Sequence, residues 1–336
     1  MFQEIEATTP GRICLAGEDI DWITGPSILC AIDLKTKASV SNNNDVFKLK
    51  TKGSLNSEID LLKDQIGNYS HHVLDYTNAA IKVISDLGIK TYPITIEITS
   101  NLPAKAGLSS SAAVSVASVA AIANFYGSIL DTTTICDLAY KIESEELRTG
   151  AGQMDMYSCG IGGLIYLDSS TIPPKNIEKF VLPDGFDIVI VDTLTPRNTA
   201  DVIRKKRIRY ANKETLIMKY VNTTNDAINE MKNILDGKVI DANKLGSSIS
   251  HCHTLMRDYM GVSTNLIEEC ISRSLKYGAI GAKLTGTGMG GCTFALVPNC
   301  NTKQVTNSLK ELPVKVYVTK PSNDGVIVNK LNSHVN

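Results

Sequence analysis

The chain is 336 residues long, 43% hydrophobic and 21% charged, with a formal net charge of −1. That length exceeds one ordinary hydrophobic core and predicts two lobes of a globular protein. The balanced charge supplies no global field for nucleic acid or an anionic membrane, so neither is an expected partner.

Residues Met1–Glu6 lack the basic start and apolar core of a signal peptide. Strand-like runs then alternate with turns: Arg12–Ala16, Ile28–Ile32, Ala38–Val40 and Val46–Lys50, with Ser41-Asn42-Asn43-Asn44-Asp45 as a turn. Apolar residues spaced by three and four predict helices over His71–Leu87, Ala112–Tyr126 and Thr132–Leu147, and Tyr92–Ile98 reads as a strand between the first two. The apolar stretch Ala112–Phe125 is shorter than the roughly 20 residues a bilayer requires, and it carries Ser115, Ser118 and Asn124. Gly162–Leu167 reads as a strand. Ser169–Pro174 reads as a linker that divides an amino-terminal domain, 1–170, from a carboxy-terminal one, 171–336.

The second half predicts a buried strand, Phe186–Asp192, then helices over Asp201–Leu235, Asp241–Tyr259 and Thr264–Tyr277. Strands at Thr293–Val297 and Val314–Thr319 complete it. The basic run Arg204-Lys205-Lys206-Arg207-Ile208-Arg209 reads mainly as the solvated face of a helix, with a contact to the substrate lobe or the nucleotide edge as the alternative. Eight cysteines, at 14, 30, 136, 159, 252, 270, 292 and 300, form no Cys-x-x-Cys pair. They read as small buried hydrophobes of a reduced, cytoplasmic protein. His251-Cys252-His253 is not a metal site on this reading, because helix positions two apart diverge. The sum is an α+β protein of two lobes with a cleft between them.

Chemistry concentrates in a few segments. Pro103-Ala104-Lys105-Ala106-Gly107-Leu108-Ser109-Ser110-Ser111-Ala112 leads from a strand into a helix of small residues. First-turn N–H groups lack intrahelical partners, and the helix dipole adds positive potential, so this is a ready anion site. Gly107 permits close backbone approach, and the three hydroxyls can meet phosphate or ligate Mg²⁺. The same residues would also serve as a Ser-rich cap of an ordinary helix. Asp155 stands in Gly150-Ala151-Gly152-Gln153-Met154-Asp155-Met156-Tyr157, a glycine-flanked loop. There it is either a partly desolvated general base or a turn aspartate capping backbone N–H groups. Glu18-Asp19-Ile20-Asp21-Trp22 combines acceptors for polyol hydroxyls with the only tryptophan of the chain, which either stacks on a sugar face or anchors the loop in the core.

Pro10-Gly11-Arg12-Ile13-Cys14-Leu15-Ala16-Gly17-Glu18, the Gly107–Ser111 loop and Gly281-Ala282-Lys283-Leu284-Thr285-Gly286-Thr287-Gly288-Met289-Gly290-Gly291 follow one another at wide separations. In this order they resemble the three motifs of the GHMP kinases, over residues 8 to 297. The resemblance implies the two-lobed α+β GHMP fold, with mixed or antiparallel sheets, and transfer of the γ-phosphate of ATP, with Mg²⁺, to a small molecule. Lys105, Gly107, Leu108, Ser109, Ser110, Ser111 and Ala112 would hold ATP. Ser110 or Ser111 would ligate Mg²⁺ with Glu143, which stands twelve residues before Asp155 as in galactokinase-like sequences. Asp155 would orient or accept the hydroxyl proton while Arg12, a lysine in mevalonate kinases, balances charge.

Glu18, Asp19, Asp21 and Gly288 would bind substrate. Glu18 and Asp21 match galactokinases, whereas Asp19, Ile20 and Trp22 depart from their Gly-Glu-His-Thr-Asp-Tyr. His253-x-x-Leu-Met-Arg257-Asp258-Tyr259 also reads like galactokinases. The Asp192-Thr193-x-x-Pro196-Arg197 pattern and Gly281–Gly286 read like mevalonate kinases, and Lys105 or Arg197 would then clamp a carboxylate. The expected activity is a sugar 1-kinase, monomeric or homodimeric. The alternatives are a mevalonate kinase-like enzyme and a non-catalytic sugar and ATP sensor.

Overall fold

The computed structural model describes residues 3–53, 56–104, 106–196 and 199–332, so Lys105 and Arg197 lie outside the described residues. In chain order the elements are β1 (Gln3–Ala16), β2 (Ser27–Asn42), β3 (Phe47–Gly53), β4 (Ser57–Leu61), α1 (Asp75–Asp86), β5 (Ile94–Ser100), α2 (Ser110–Phe125), α3 (Thr132–Lys141) and α4 (Met154–Ile161). They continue with β6 (Leu164–Asp168), β7 (Asn176–Phe180), β8 (Phe186–Asp192), α5 (Thr199–Ala211), α6 (Thr215–Leu235), α7 (Ala242–Leu255), α8 (Asn265–Lys276), β9 (Gly281–Leu284), β10 (Cys292–Pro298), α9 (Thr302–Leu309), β11 (Lys315–Thr319) and β12 (Ile327–Asn332).

Two sheets organise this mixed α+β chain. The larger has the order β12-β1-β2-β5-β3-β4, with β6 paired to β2 and β7 to β6; β3 and β5 run parallel and its other pairs are antiparallel. The smaller, β11-β8-β10-β9, is antiparallel. Along β2 the first six residues are buried in succession, and the later ones alternate. The continuous run marks where β1 and β2 are covered on both faces, by α2 and α4 and by α6 and α7 of the second half. A register shift between Pro10 and Gly11 follows from proline having no N–H for the ladder.

Several expectations change. The Ser169–Pro174 linker is the turn of the antiparallel β6–β7 pair, and Gln153 Nε2 donates to the Thr171 carbonyl at 2.7 Å, tying that turn to α4. The division at 170 also cuts through the larger sheet, because β7 and β12 both belong to it. Asp155 sits in the first turn of α4, not in a loop. The long helix expected over 201–235 is two, α5 and α6, broken at 212–214. Strands β4, β7, β9 and β12 and helix α9 are short, four to eight residues each, and add to the elements expected from sequence. The helix after Thr132 ends at Lys141 and continues as a π-helical turn, Ile142–Glu146, which changes the direction in which Glu143 is presented.

Candidate active site

Arg12 is the hub. Gly11 lacks a Cβ because one there would lie 2.4 Å from Leu102 Cδ2 and 2.9 Å from the Leu108 carbonyl oxygen. That close approach lets the Arg12 N–H donate to Leu108 O at 3.2 Å, fastening the phosphate-type loop to β1. Arg12 itself is 3% exposed. Its Nε and Nη2 reach Asp155 Oδ1 at 2.8 and 2.6 Å, and Nη1 donates to the Gly107 carbonyl at 2.9 Å and to Thr285 Oγ1 at 3.2 Å. One guanidinium therefore joins all three motifs to α4. Burial works against its charge, yet Asp155 and then Glu18 keep it protonated, with its pKa raised.

The Gly107–Ser111 segment opens α2. Gly107 and Ser109 both have left-handed backbones, φ 87° and 59°. A helix-capping serine is ordinarily extended with its hydroxyl on a first-turn N–H. Ser109 instead leaves its Oγ buried with no partner among the described residues. Ser110 and Ser111 are partly exposed, whereas Leu108 and Ala112 are buried beneath them. Ser111 also hydrogen-bonds to Glu143, whose carboxylate accepts from Thr149 Oγ1 at 2.8 Å. Among the described residues no three His, Cys, Asp or Glu side chains are grouped to hold a metal. One carboxylate beside one hydroxyl nevertheless suits Mg²⁺, which is usually held by one or two carboxylates together with substrate phosphates and water.

The segment after β1 is less open than its acidity suggests. Glu18 is 1% exposed, with Oε1 3.5 Å from Arg12 Nη2 and Oε2 3.2 Å from Lys283 Nζ. Burial alone would raise its pKa, but Lys283 and Arg12 hold it below the usual value. Asp19 is ion-paired to Lys206. This corrects the reading of 204–209 as a solvated face, since Lys206 is 2% exposed while Arg204 and Lys205 face solvent. Asp21 packs on Gly152, where a Cβ would lie 1.8 Å from Asp21 Oδ2. Trp22 is half-buried, edge-on to Tyr210 with centroids 5.6 Å apart and with the Arg207 guanidinium 5.5 Å from its ring centroid.

The third motif closes the site from the second half of the chain. Thr285 Oγ1 accepts from the Cys14 N–H at 3.2 Å, and the Cys292 N–H donates to the Ala106 carbonyl at 2.8 Å. Gly288, with φ 78°, packs on Val262, 2.6 Å from where its Cβ would stand. Lys283, Thr285 and Lys206 were not anticipated as site residues. The first two lie inside the third motif, and Lys206 stands in a run of like charges.

Two carboxyl groups here hold their protons to unusual pH. Burial, reinforced by Asp155 and Asp19, raises Asp21 to about 7. Burial likewise raises Glu143 to about 7, with Asp155 adding to it. Unfolded carboxyls ionise near pH ~4. Between about pH 4 and 7 these two groups keep protons in the folded chain that the unfolded chain has released, and their contribution to stability falls as pH rises through that window. Chemical denaturation from pH 5 to 8 should show this decline. Glu143→Gln should lose less stability than wild type across the same range, by more than the ~1.4 kcal/mol equivalent to one pKa unit; parallel curves would contradict the assignment.

Residues 75–163 match the GHMP kinases N terminal domain and residues 230–313 the GHMP kinases C terminal domain. The chain is 29% identical to a mevalonate kinase of Thermococcus sibiricus, covering 97% of this chain and 98% of that one. It is 26% identical to a galactokinase of Pyrococcus furiosus, over 97% and 99%. The crystal structure of Lactococcus lactis galactokinase complexed with galactose shares the fold with a TM-score of 0.83 at 20% identity, over 96% of this chain and 95% of that one. Both family domains occur in order on one chain whose fold is shared nearly end to end, and the protein belongs to the GHMP kinases, ATP-dependent phosphotransferases acting here on a small-molecule alcohol.

Proposed function

We propose that the acceptor is a sugar-like polyol, phosphorylated at its anomeric hydroxyl. The observation carrying this is that the Asp21 carboxyl packs on Gly152, three residues before Asp155 in the first turn of α4, so that two carboxyl groups stand on adjoining segments. Carboxyl groups exchange hydrogen bonds with hydroxyls, and neither Asp21 nor Asp155 offers a cation to a carboxylate substrate. The nearby cations Arg12, Lys206 and Lys283 each already meet a carboxylate of this chain.

In this reading Gly107–Ala112, with Lys105, cradle the ATP phosphates at the start of α2. Glu143 with Ser110 or Ser111 would hold Mg²⁺, which when bound offsets phosphate charge. The acceptor oxygen attacks the γ-phosphorus as the bond to the β-phosphate oxygen breaks and ADP leaves; the hydroxyl proton passes to Asp155. Arg12 offsets the charge that develops in the transition state. Glu18 would act through Arg12 rather than on the sugar, Asp21 would meet its hydroxyls, and Gly288 would shape the wall. Seven buried free thiols fit a reducing, cytoplasmic setting.

A mevalonate kinase-like reading is supported by the 29% relative and by Lys283 within Gly281–Gly286. Coupled ADP release over galactose, glucose, mannose, arabinose, glucuronate, N-acetylhexosamines, a heptose 7-phosphate, inositol, mevalonate and homoserine separates the two. Turnover on a sugar, with the product's phosphate on C1 by NMR, supports the proposal. Turnover on mevalonate alone would replace it, and binding of sugar and ATP without ADP release would make the chain a sensor.

A further inference from the structure

Helix α5 crosses from the second half of the chain to the acceptor side, and its chemistry is unusual. Among its thirteen residues, Lys206 alone is buried. Ile208 is exposed, and a cavity of about 420 Å³ is lined by Ala200, Arg204 and Ile208 of α5 on one side and Thr149 and Gly150 on the other. A helix normally docks through an apolar stripe. This one docks mainly through cations: besides the Lys206 ammonium, Arg209 donates to the Met260 and Tyr259 carbonyls at 2.8 and 3.1 Å, and Tyr210 packs on Trp22.

The partners of that ammonium are specific. Lys206 Nζ donates to Asp19 Oδ2 and, at 2.7 Å, to the Thr287 carbonyl of the third motif. Asp19 has φ 60°, a left-handed backbone that costs energy in a non-glycine residue and needs surroundings to hold it. One residue further on, Arg207 donates to the Gly150 carbonyl at 2.7 Å and covers Trp22. Asp21 lies between these two attachments and packs on Gly152, at the start of the segment leading to Asp155.

We infer that Lys206 is a positioning residue for the acceptor, bridging Asp19 to Thr287 so that Asp21 is held beside Asp155. The inference rests on the reading of 18–22 as the acceptor loop, but its decisive test requires no acceptor. Trp22 is the sole tryptophan and lies within that loop. Its acrylamide quenching can be compared in wild type, Lys206→Met and the double variant Asp19→Asn/Lys206→Met. The single variant strands a buried carboxylate and is expected to be destabilised; the double variant carries neither charge, and asparagine tolerates the left-handed backbone.

If the bridge positions the loop, the quenching constant rises about twofold in both variants through local loosening, although the denaturation midpoint recovers in the double variant. With galactose and mevalonate as probe acceptors, the KM of whichever turns over should rise about tenfold, with the ATP KM within about twofold of wild type. Should the double variant recover both its midpoint and wild-type Trp22 quenching, Lys206 merely neutralises a charge and the inference is overturned. Absence of turnover with both probes would bear on the proposed activity alone, because the Trp22 comparison stands without them.

Discussion

Replacing Asp155 with asparagine should lower kcat by about 10³, within the range attributed to a positioned acid or base, while leaving the ATP KM within severalfold of wild type. The substitution is nearly isosteric. Both Arg12 contacts fall on a single oxygen, Oδ1, and an amide oxygen can accept from the same guanidinium. Removal of the charge and the proton-accepting site is thus separated from collapse of the pocket, which loss of Asp155 altogether would confuse. Arg12 retains Glu18 at 3.5 Å, together with Gly107 and Thr285, so its place on β1 does not depend on Asp155 alone. ADP release with the acceptor that wild type turns over, alongside nucleotide binding by calorimetry, checks this. A variant keeping a tenth or more of wild-type kcat would reduce Asp155 to a partner that orients Arg12.

The largest effect on stability is expected from Lys283→Met. Lys283 is 1% exposed, and its ammonium donates to the Cys14 carbonyl at 3.1 Å, the Leu284 carbonyl at 2.7 Å and Glu18 Oε2 at 3.2 Å. Methionine fills most of the volume but satisfies none of these groups. Glu18 would remain buried with the 3.5 Å contact to Arg12 and the Gly286 N–H as its partners, and breaking a buried pair from one side costs about 3–5 kcal/mol. The urea midpoint should drop accordingly, and Glu18→Gln in the same background should recover much of the loss. The freed Glu18 would also compete with Asp155 for Arg12, so kcat should fall together with stability. A loss below about 1 kcal/mol, the value of an exposed pair, would mean that water reaches Glu18.

Both expectations concern groups that the sequence brings to notice in different ways. Arg12, Ser109–Ser111, Glu143 and Asp155 stand in recognisable local contexts: an arginine after Pro-Gly, serines at a helix mouth, acids at fixed offsets. The long elements were legible for a similar reason. Regular periodicity over α6 and α8, or an unbroken apolar run such as α2 or β8, reflects burial that repeats along one segment. Short edge strands such as β4 and β7 carry few side chains inward and leave little pattern. The turn after β6 is rich in small and polar residues as a linker would be, so only pairing with β7 distinguishes the two.

By itself the sequence determined the chemistry available to this protein: which acids, cations and hydroxyls exist, which backbone positions tolerate left-handed turns, and in what order the three motifs occur. The tertiary structure decided which of those groups are free to act. Glu18 and Lys283 are 265 residues apart in the chain, and Asp19 and Lys206 are 187 apart, yet each couple meets in a buried site. Local composition marks Glu18 and Asp19 as candidate ligands for a substrate and gives no sign that Lys283 and Lys206 cover them. Whether a charge is solvated or buried and paired depends on which distant segment covers it, and that is set by the stacking of the second half of the chain over β1, not by its neighbours in sequence.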